Sequence, residues 1–331
     1  MDRFSSIADF RPDGRPVVLT IGNFDGVHRG HRRLVDAARA AAAKIGGRVV
    51  AMTFDPHPLA VLAPERAPAR LTTLPERLDL LELIGVDAAI VLRTDRDLLA
   101  IPADEFLTLV RDKLIPAAIV EGPTFNFGRG RAGSIETLRA HAAALGYEAI
   151  IVDELYGREL GGNPPINSSA IRAAIVDGRI SDANAMLGRP YRITGVVGHG
   201  DSRGRTIGFP TANLEAIPHL LPGEAVYAAA AQLADGAILL AAVNIGPQPT
   251  FAQMKSRVEA HLLDFDRELR GQRVGLHLLS RLRGQTRFES VDTLVDQIRR
   301  DVARTREFER AVSSLREAPR LALGDSPAYS P

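Results

Sequence analysis

The chain has 331 residues and a formal net charge of +1, from 41 Lys and Arg against 40 Asp and Glu. A chain of this length exceeds the usual size of one hydrophobic core, so two domains are expected. The balanced charge provides no general attraction to nucleic acid or to an anionic membrane, and neither is expected as a partner. The lack of cysteine excludes disulfides, thiolate catalysis and cysteine-ligated zinc, and it fits a reducing cytoplasm, which is the expected location. The first residues lack the apolar core of a signal peptide.

The first half of the chain alternates apolar strands with Ala- and Leu-rich helical stretches. The predicted strands lie near residues 17–21, 48–53, 88–92, 117–121 and 149–152. Alternation of this kind predicts a parallel α/β sheet covered by helices on both faces. Ligands of such sheets bind beyond the carboxyl ends of the strands, so polar motifs that follow these strands are candidates for a binding site.

The segment Thr20–His31, TIGNFDGVHRGH, forms a Gly-rich turn that leads from the first strand into a helix. Unpaired backbone N–H groups and the helix dipole favour anions at a helix N-terminus. His28 and His31 are three residues apart and can therefore face the same bound phosphate. The candidate nucleotide-binding residues of this turn are His28, His31, Gly22, Asn23, Phe24, Asp25 and Gly30. Asp25 has an alternative interpretation as a turn or cap residue.

Two further polar segments follow strands of the predicted sheet, and a third begins a helix. TFDPHP at residues 53–58 follows the second strand, and VEGPTFNFGRGRAG at residues 120–133 follows the fourth. Together with the Gly-rich turn, these two segments are predicted to line one crevice at the carboxyl edge of the sheet. INSSAIR at residues 166–172 supplies hydroxyl and guanidinium donors, and its alternative interpretation is an N-cap serine followed by a surface arginine.

The second half has shorter sequence periods and more glycine from Tyr191 onward, which predicts a compact antiparallel β-barrel. Asp235-Gly236 lies between two apolar runs, so it predicts a hairpin and leaves no membrane-spanning length. A helix with an apolar stripe is predicted over residues 290–315. The tail beyond it is rich in Pro, Ser and Ala and is predicted to be disordered. The predicted domains are residues 1–186 and 187–315, with the tail at 316–331.

Several motifs resemble those of one enzyme family. GNFDGVHRGH at residues 22–31 resembles the HxGH subgroup of nucleotidylyltransferases, and in full it resembles the adenylyltransferase half of bacterial bifunctional riboflavin kinase/FMN adenylyltransferases. From Leu187, the sequence LGRPYRITGVVGHGDSRGRTIGFPTANL resembles the start of the riboflavin kinase domain of that family. NIGPQPTF at 244–251 and VEAHLLDF at 258–265 resemble later kinase segments, so the resemblance covers about residues 15–305.

The resemblance implies an α/β nucleotidylyltransferase-like domain, Rossmann-like and of the HxGH type, followed by an antiparallel β-barrel riboflavin kinase domain with a C-terminal helix. The implied reactions are phosphorylation of riboflavin to FMN by ATP and adenylylation of FMN to FAD with release of pyrophosphate. His28 and His31 are implied as catalytic contacts to the ATP phosphates. The residues implied to hold the β- and γ-phosphates are Ser168, Ser169 and Arg172. The implied flavin contacts are Pro56, His57, Asn126 and Arg131.

In the kinase half, the resemblance implies Glu259 as the catalytic base that accepts the proton of the riboflavin hydroxyl. Thr211 and Asn213 of the PTAN motif are implied to hold Mg²⁺ against the ATP phosphates, and Gly204 belongs to a Gly-rich flap beside them. The implied cofactor is therefore Mg²⁺, with riboflavin, FMN and ATP as the small-molecule partners.

The chain departs from the family pattern at a few positions. Thr124 stands where the family has Asp, Asn167 where Ser is usual, Ala170 where Arg is common, and Gln248 where Arg is common. The leading hypothesis is an enzyme with both activities. The alternatives are a kinase with an impaired adenylyltransferase domain, a non-catalytic flavin-binding regulator, and an adenylyltransferase that acts on a different phosphorylated compound.

Overall fold

The computed structural model describes residues 1–160, 162–198, 204, 207–248, 255–319 and 321. The chain divides into two compact units, Met1–Asn167 and Ser168–Pro331. The division falls earlier than residue 186, where the sequence predicts the domain boundary. Residues 168–186 form helices of the second unit.

The first unit contains a six-stranded sheet whose order is β1-β4-β3-β2-β5-β6, with every pair parallel. Its strands are β1 Asp2–Phe4, β2 Val17–Ile21, β3 Arg48–Asp55, β4 Ala88–Arg93, β5 Pro116–Glu121 and β6 Glu148–Ile151. The five predicted strands are confirmed. Strand β1 was not predicted, because its sequence DRF carries no apolar run and forms an edge strand only by pairing with β4.

The helices of the first unit cover the sheet. They are α1 Arg29–Lys44, α2 Pro58–Leu62, α3 Leu74–Leu83, α4 Arg96–Ala100, α5 Ala103–Leu114 and α6 Ile135–Leu145. Every residue of β2 is buried, as expected for a central strand with helices on both faces. The carboxyl ends of β2, β3 and β5 therefore open at one edge of the sheet, and the Gly-rich turn, the TFDPHP segment and the segment after β5 begin there.

The second unit begins with two helices, α7 Ser168–Val176 and α8 Ile180–Leu187, which are separated at Gly178. Gly178 adopts a φ of +70°, which ends the first helix. A closed barrel follows, with the order β10-β11-β8-β7-β12-β9. Its strands, all antiparallel, are β7 Tyr191–Val197, β8 Ala212–Glu215, β9 Ala225–Gln232, β10 Ile238–Gln248, β11 Lys255–Leu262 and β12 Arg273–Arg283.

The predicted hairpin at Asp235-Gly236 joins β9 and β10, and Gly236 has a φ of +85° in its turn. All eight residues of β9 are buried. One face of this Ala-rich strand lies inside the barrel, and the other packs beneath the C-terminal helices through Ala228 and Ala230.

The C-terminal region forms two helices, α9 Val291–Arg306 and α10 Glu309–Glu317, rather than the single helix predicted over residues 290–315. The break lies at Phe308, which caps the second helix and packs against the outside of the barrel with Val312. Helix α10 extends into the segment predicted as a tail. Farther along, Leu321 is buried, and its carbonyl oxygen accepts a hydrogen bond of 3.0 Å from the Gln232 side chain. The remaining tail residues lie outside the described part of the chain.

Candidate active sites

The turn between β2 and α1 is held in an unusual backbone conformation. Phe24, Gly26 and Val27 have φ values of +47°, +87° and +37°. A positive φ is unfavourable for a β-branched residue such as Val27, and strain of this kind clusters at functional sites. The turn begins at Gly22, whose N–H donates to the Met52 carbonyl of β3 at 2.9 Å.

Asp25 anchors this turn to the segment that precedes α3. Its buried carboxylate accepts hydrogen bonds of 3.0 to 3.1 Å from the backbone N–H groups of Leu71 and Thr72 and from the Thr72 hydroxyl. The Gly26 N–H donates to the same hydroxyl at 3.1 Å. Charge-assisted bonds of this kind are strong, so the alternative interpretation of Asp25 as a turn residue agrees with its contacts.

His28 and His31 cap the N-terminus of α1 reciprocally. His28 Nδ1 accepts from the His31 backbone N–H, and His31 Nδ1 accepts from the His28 backbone N–H, both at 3.3 Å. The two rings are stacked with centroids 3.6 Å apart. Because each Nδ1 is an acceptor, a neutral ring carries its proton on Nε2 and presents an N–H donor there. No acidic residue lies in the first turn of α1 to oppose a bound anion.

Gly30 lies where a side chain would be crowded. A Cβ atom at this position would be 3.0 Å from the His28 ring and 3.0 Å from the Ile166 carbonyl oxygen. The glycine therefore allows the chain before residue 167 to pass close to the start of α1. The ion pair of Arg29 with Glu159 is a second contact between these segments.

Asn23 and His57 lie side by side. The Asn23 side-chain amide is 3.3 Å from His57 Nε2, and His57 Nδ1 accepts from the Leu59 N–H as the N-cap of α2. Pro56, which follows Asp55 through a cis peptide bond, is half-buried in the same loop. The structure therefore brings the first turn and the TFDPHP segment together at the edge of the sheet.

Sequence reasoning missed two buried ionisable residues near these strand ends. Arg77 on α3 donates to the Phe54 carbonyl at 2.9 Å and to the Thr53 hydroxyl at 3.3 Å, and that hydroxyl donates to the Asn23 carbonyl. Glu121, the last residue of β5, accepts a hydrogen bond of 2.5 Å from the Ile21 N–H. Burial raises the pKa of Glu121 well above its usual value.

Asn126 and Arg131 lie in the loop after β5. The Asn126 side chain donates to the Thr124 carbonyl at 2.7 Å, so Thr124 fixes the orientation of Asn126 through its backbone. The loop is closed by Phe127, which exchanges backbone hydrogen bonds with Gly133 and stacks on Phe125 with ring centroids 5.2 Å apart. Asn126 and Arg131 are both exposed and therefore accessible to a ligand.

Ser168, Ser169 and Arg172 lie within the first turns of α7 in the second unit. Ser168 and Arg172 are half-buried, and Ser169 is exposed. Hydroxyl and guanidinium donors at a helix N-terminus suit the binding of phosphate.

The second candidate site lies on the barrel, around strands β8 and β11. Asn213 is directly opposite Glu259 in the antiparallel ladder, and Asn244 of β10 is opposite Glu259 on its other side. Asn213 is buried, and 26% of the Glu259 side chain is exposed. Gln285, which follows β12, donates to the Asn244 side-chain oxygen at 2.9 Å and to the Ile245 carbonyl at 2.7 Å. Sequence reasoning missed this glutamine.

Arg257 contacts two of these residues, Asn213 and Glu259, and was not identified from the sequence. Its Nε lies 2.8 Å from Asn213 Oδ1 and 3.2 Å from Glu259 Oε1. Arg257 and Glu259 are two residues apart on β11, so their side chains share a face of the strand.

Thr211 precedes β8 and is exposed. A Cβ atom on Gly204 would clash with the Phe209 carbonyl and lie 3.4 Å from the Thr211 hydroxyl, so Gly204 permits a close approach of the flap to the PTAN segment. Residues 199–203 and 205–206 of the predicted flap lie outside the described part of the chain. The same holds for residues 249–251 of the NIGPQPTF segment and for the side chain of Gln248.

The fold and the two residue groups define a protein of two parts, a parallel α/β unit with a candidate phosphate site and a closed antiparallel barrel with a candidate carboxylate site. Residues 11–161 match the family model of FAD synthetase, and residues 187–309 match that of riboflavin kinase. The chain is 39% identical over 292 residues to the bifunctional riboflavin kinase/FMN adenylyltransferase of Escherichia coli K12, covering 88% of this chain and 92% of that protein. It is 32% identical over 305 residues to the enzyme of the same name from Bacillus subtilis, covering 91% and 94%. The chain belongs to the family of bifunctional riboflavin kinase/FMN adenylyltransferases.

A solved structure has the same fold over almost the whole chain. It carries the name macrolide-efflux protein, from Streptococcus pneumoniae, and superposes with a TM-score of 0.83 at 31% identity, covering 92% of this chain and 98% of that one. Among the residues described for the present chain, no helix is both long and apolar enough to cross a membrane.

Proposed function

We propose that this chain phosphorylates riboflavin to FMN in its barrel and adenylylates FMN to FAD in its α/β unit, with ATP as the donor in both reactions. ATP and the flavins are the substrates that fit the two families. The observation that carries the proposal is the presence of two separate residue sets in one chain: a histidine pair at a helix N-terminus and a carboxylate opposite a buried amide on a barrel. The expected cytoplasmic location and the expected absence of nucleic-acid partners stay predictions from composition.

In the proposed adenylyl transfer, a phosphate oxygen of FMN attacks the α-phosphorus of ATP. The bond between the α-phosphorus and its bridging oxygen breaks, and pyrophosphate leaves. No protein nucleophile is needed, so the work of the site is positioning and stabilisation of charge. The Nε2–H groups of His28 and His31 supply donors for the α-phosphate and the leaving group, and the positive end of the α1 helix dipole adds to their attraction for an anion.

The remaining assignments for the proposed adenylyl transfer follow from the chemistry of the side chains. We assign Ser168, Ser169 and Arg172 to the β- and γ-phosphates, since a guanidinium can bind two phosphate oxygens at once. We assign the loop residues Asn126 and Arg131 to the flavin, because both are exposed beyond the end of β5. We assign Gly22 and Asn23 to the nucleotide. The Phe24 side chain is only 1% exposed, so Phe24 is assigned a contact through its backbone alone.

In the proposed kinase reaction, the 5′-hydroxyl of riboflavin attacks the γ-phosphorus of ATP. This alcohol is a poor nucleophile unless a base accepts its proton in the transition state, and Glu259 is the base we assign. The opposing Asn213 lies within a strand pairing that fixes its distance from Glu259.

The residues of the PTAN segment fit a hard cation. Thr211 and Asn213 contribute a hydroxyl and an amide oxygen two residues apart, and Mg²⁺ prefers a few protein oxygens together with phosphates and water. Asn213 Oδ1 accepts a hydrogen bond from Arg257, which leaves the second lone pair of that oxygen for a ligand. Bound there, Mg²⁺ would neutralise charge on the transferring phosphate.

The proposal is tested by incubating the purified chain with riboflavin, ATP and Mg²⁺ and resolving the flavins by chromatography over time. We expect FMN to appear first and FAD to follow. FMN without FAD would favour the alternative of an impaired adenylyltransferase, and it would direct attention to Thr124, Asn167 and Ala170. Neither product, together with tight flavin binding, would favour the non-catalytic regulator. FMN supplied directly tests the second step alone, and other phosphorylated acceptors test its specificity.

A further inference from the structure

The barrel site contains a cation, Arg257, to which the proposed kinase mechanism assigns no role of its own. Arg257 Nε donates a hydrogen bond of 2.8 Å to Asn213 Oδ1 and forms an ion pair of 3.2 Å with Glu259 Oε1. One guanidinium nitrogen therefore contacts both the proposed base and a proposed metal ligand.

The barrel framework makes this arrangement well defined. Asn213 and Glu259 are opposed across β8 and β11, and Arg257 is the diagonal neighbour on the same face. The side chains of Arg257 and Glu259 are 27% and 26% exposed, so water only partly screens their attraction. A planar guanidinium also constrains direction, which a flexible ammonium group does not.

We propose that Arg257 is a positioning residue for riboflavin phosphorylation, holding the Glu259 carboxylate and the Asn213 amide in their productive orientations. The inference rests on the proposed kinase function. Arg257 engages Glu259 Oε1 and leaves Oε2 as the proton acceptor. The riboflavin hydroxyl gives its proton to Oε2 while its oxygen bonds to the γ-phosphorus, and the bond from that phosphorus to the β,γ-bridging oxygen breaks to release ADP.

The first test is the variant Arg257→Gln, assayed for both activities of the full chain. We expect the kcat of riboflavin phosphorylation to fall by about tenfold to a hundredfold, since misplacement of a catalytic group has effects of this size. The KM for riboflavin should change by less than about twofold, because the proposal gives Arg257 no contact with the flavin. FAD formation from FMN, to which the proposal assigns no residue of the barrel, should be unchanged.

Two further variants separate positioning from general effects of removing a cation. Arg257→Lys restores the charge but not the planar geometry, so we expect only partial recovery of kcat. Arg267→Gln removes an exposed arginine that pairs with Asp235, and both activities should remain at the wild-type level.

A double-mutant cycle with Glu259→Gln decides the mechanism. If Arg257 acts through Glu259, adding Arg257→Gln to Glu259→Gln causes little further loss of kcat. Additive losses of kcat would overturn the inference. General damage to the barrel by Arg257→Gln would give this additive result, because it would lower kcat both in the wild-type chain and in Glu259→Gln. A wild-type kcat in Arg257→Gln would overturn the inference as well. The proposed function fails separately, if the wild-type chain itself does not phosphorylate riboflavin.

Discussion

His28 and His31 accept hydrogen bonds from each other's backbone N–H groups through Nδ1, at 3.3 Å in both directions. The exchange closes a capping box at the first turn of α1, a role usually filled by Ser or Thr with Glu. It also decides the tautomer of both rings. The same hydrogen bonds that begin the helix therefore leave the proton of each neutral ring on Nε2.

The two roles of His28 can be separated by substitution. Serine is a good N-cap but has no donor at the position of Nε2, so His28→Ser should keep the helix and lose the phosphate contact. We expect FAD formation from FMN to slow by about a hundredfold, the usual effect of removing one preorganised donor. Riboflavin phosphorylation on the same chain should be unchanged.

His28→Ala is the matched comparison, because alanine supplies neither the cap nor the donor. It should show the same loss of FAD formation and, in addition, a loss of stability of about 1 kcal/mol in urea unfolding. Wild-type FAD formation in the serine variant would contradict the proposed role of His28.

Asp25 is expected to matter for the shape of the turn. Asp25→Asn removes the negative charge and, in either orientation of the amide, places its NH₂ group against the Leu71 N–H, which now lies 3.0 to 3.1 Å from both carboxylate oxygens. Loss of a hydrogen bond to a charged group costs about 1.5 to 3 kcal/mol, which urea unfolding followed by circular dichroism can measure. Faster hydrogen exchange at the amides of residues 71 and 72 would locate the change. Asp36→Asn, an exposed carboxylate of α1, is the control and should have little effect.

The first unit was predictable from sequence because its central strands are continuous apolar runs between Gly-rich or polar turns. Buried parallel strands such as β2 need no partner to be recognised. Strand β1 differs because three residues with two charges become a strand only beside the edge of β4. The break between α9 and α10 at Phe308 could not be predicted from the sequence either. The apolar stripe continues across Phe308, and only the packing of this residue on the barrel separates the two helices.

The candidate sites were predictable to the extent that they depend on local motifs. His28, His31, Asn213 and Glu259 were identified because their neighbours in sequence form recognisable patterns. Arg257 and Gln285 act through strand register and loop closure, which bring together residues separated by about 40 positions. The hydrogen-bond partners of Arg257 and Gln285 cannot be predicted from the sequence, because they depend on the strand order and register of the barrel.

The pairing of Arg283 with Asp301 is expected to stabilise the barrel unit. Arg283 donates to both carboxylate oxygens at 2.8 to 3.1 Å, and only 4% of the Asp301 side chain is exposed. Asp301→Asn leaves the guanidinium without its counter-charge, and we expect a loss of about 3 kcal/mol in urea unfolding. Asp296→Asn on the same helix breaks an exposed pair with Arg299 and should cost less than about 1 kcal/mol. Equal effects of the two substitutions would contradict the assigned role of burial.

Glu121 should give the stability of the chain a distinct dependence on pH. Burial raises its pKa in the folded chain, so the folded state retains a proton that the unfolded chain has already lost. The stability that the neutral carboxyl contributes is complete below the unfolded pKa and is lost as the pH rises through the folded pKa. Each unit of pH in that window costs up to about 1.4 kcal/mol.

Glu121→Gln keeps the shape of the side chain and removes the titration. We expect the unfolding free energy of the variant, minus that of the wild type, to increase as the pH rises above the unfolded pKa of Glu121 toward its raised folded pKa. Glu136→Gln is the matched control, because that exposed carboxylate has a lowered pKa and titrates below this window. Its difference from the wild type should stay constant over the same range. If the Glu121→Gln difference also stays constant, the buried carboxyl does not hold its proton, and the Ile21 N–H must then donate to a buried carboxylate anion.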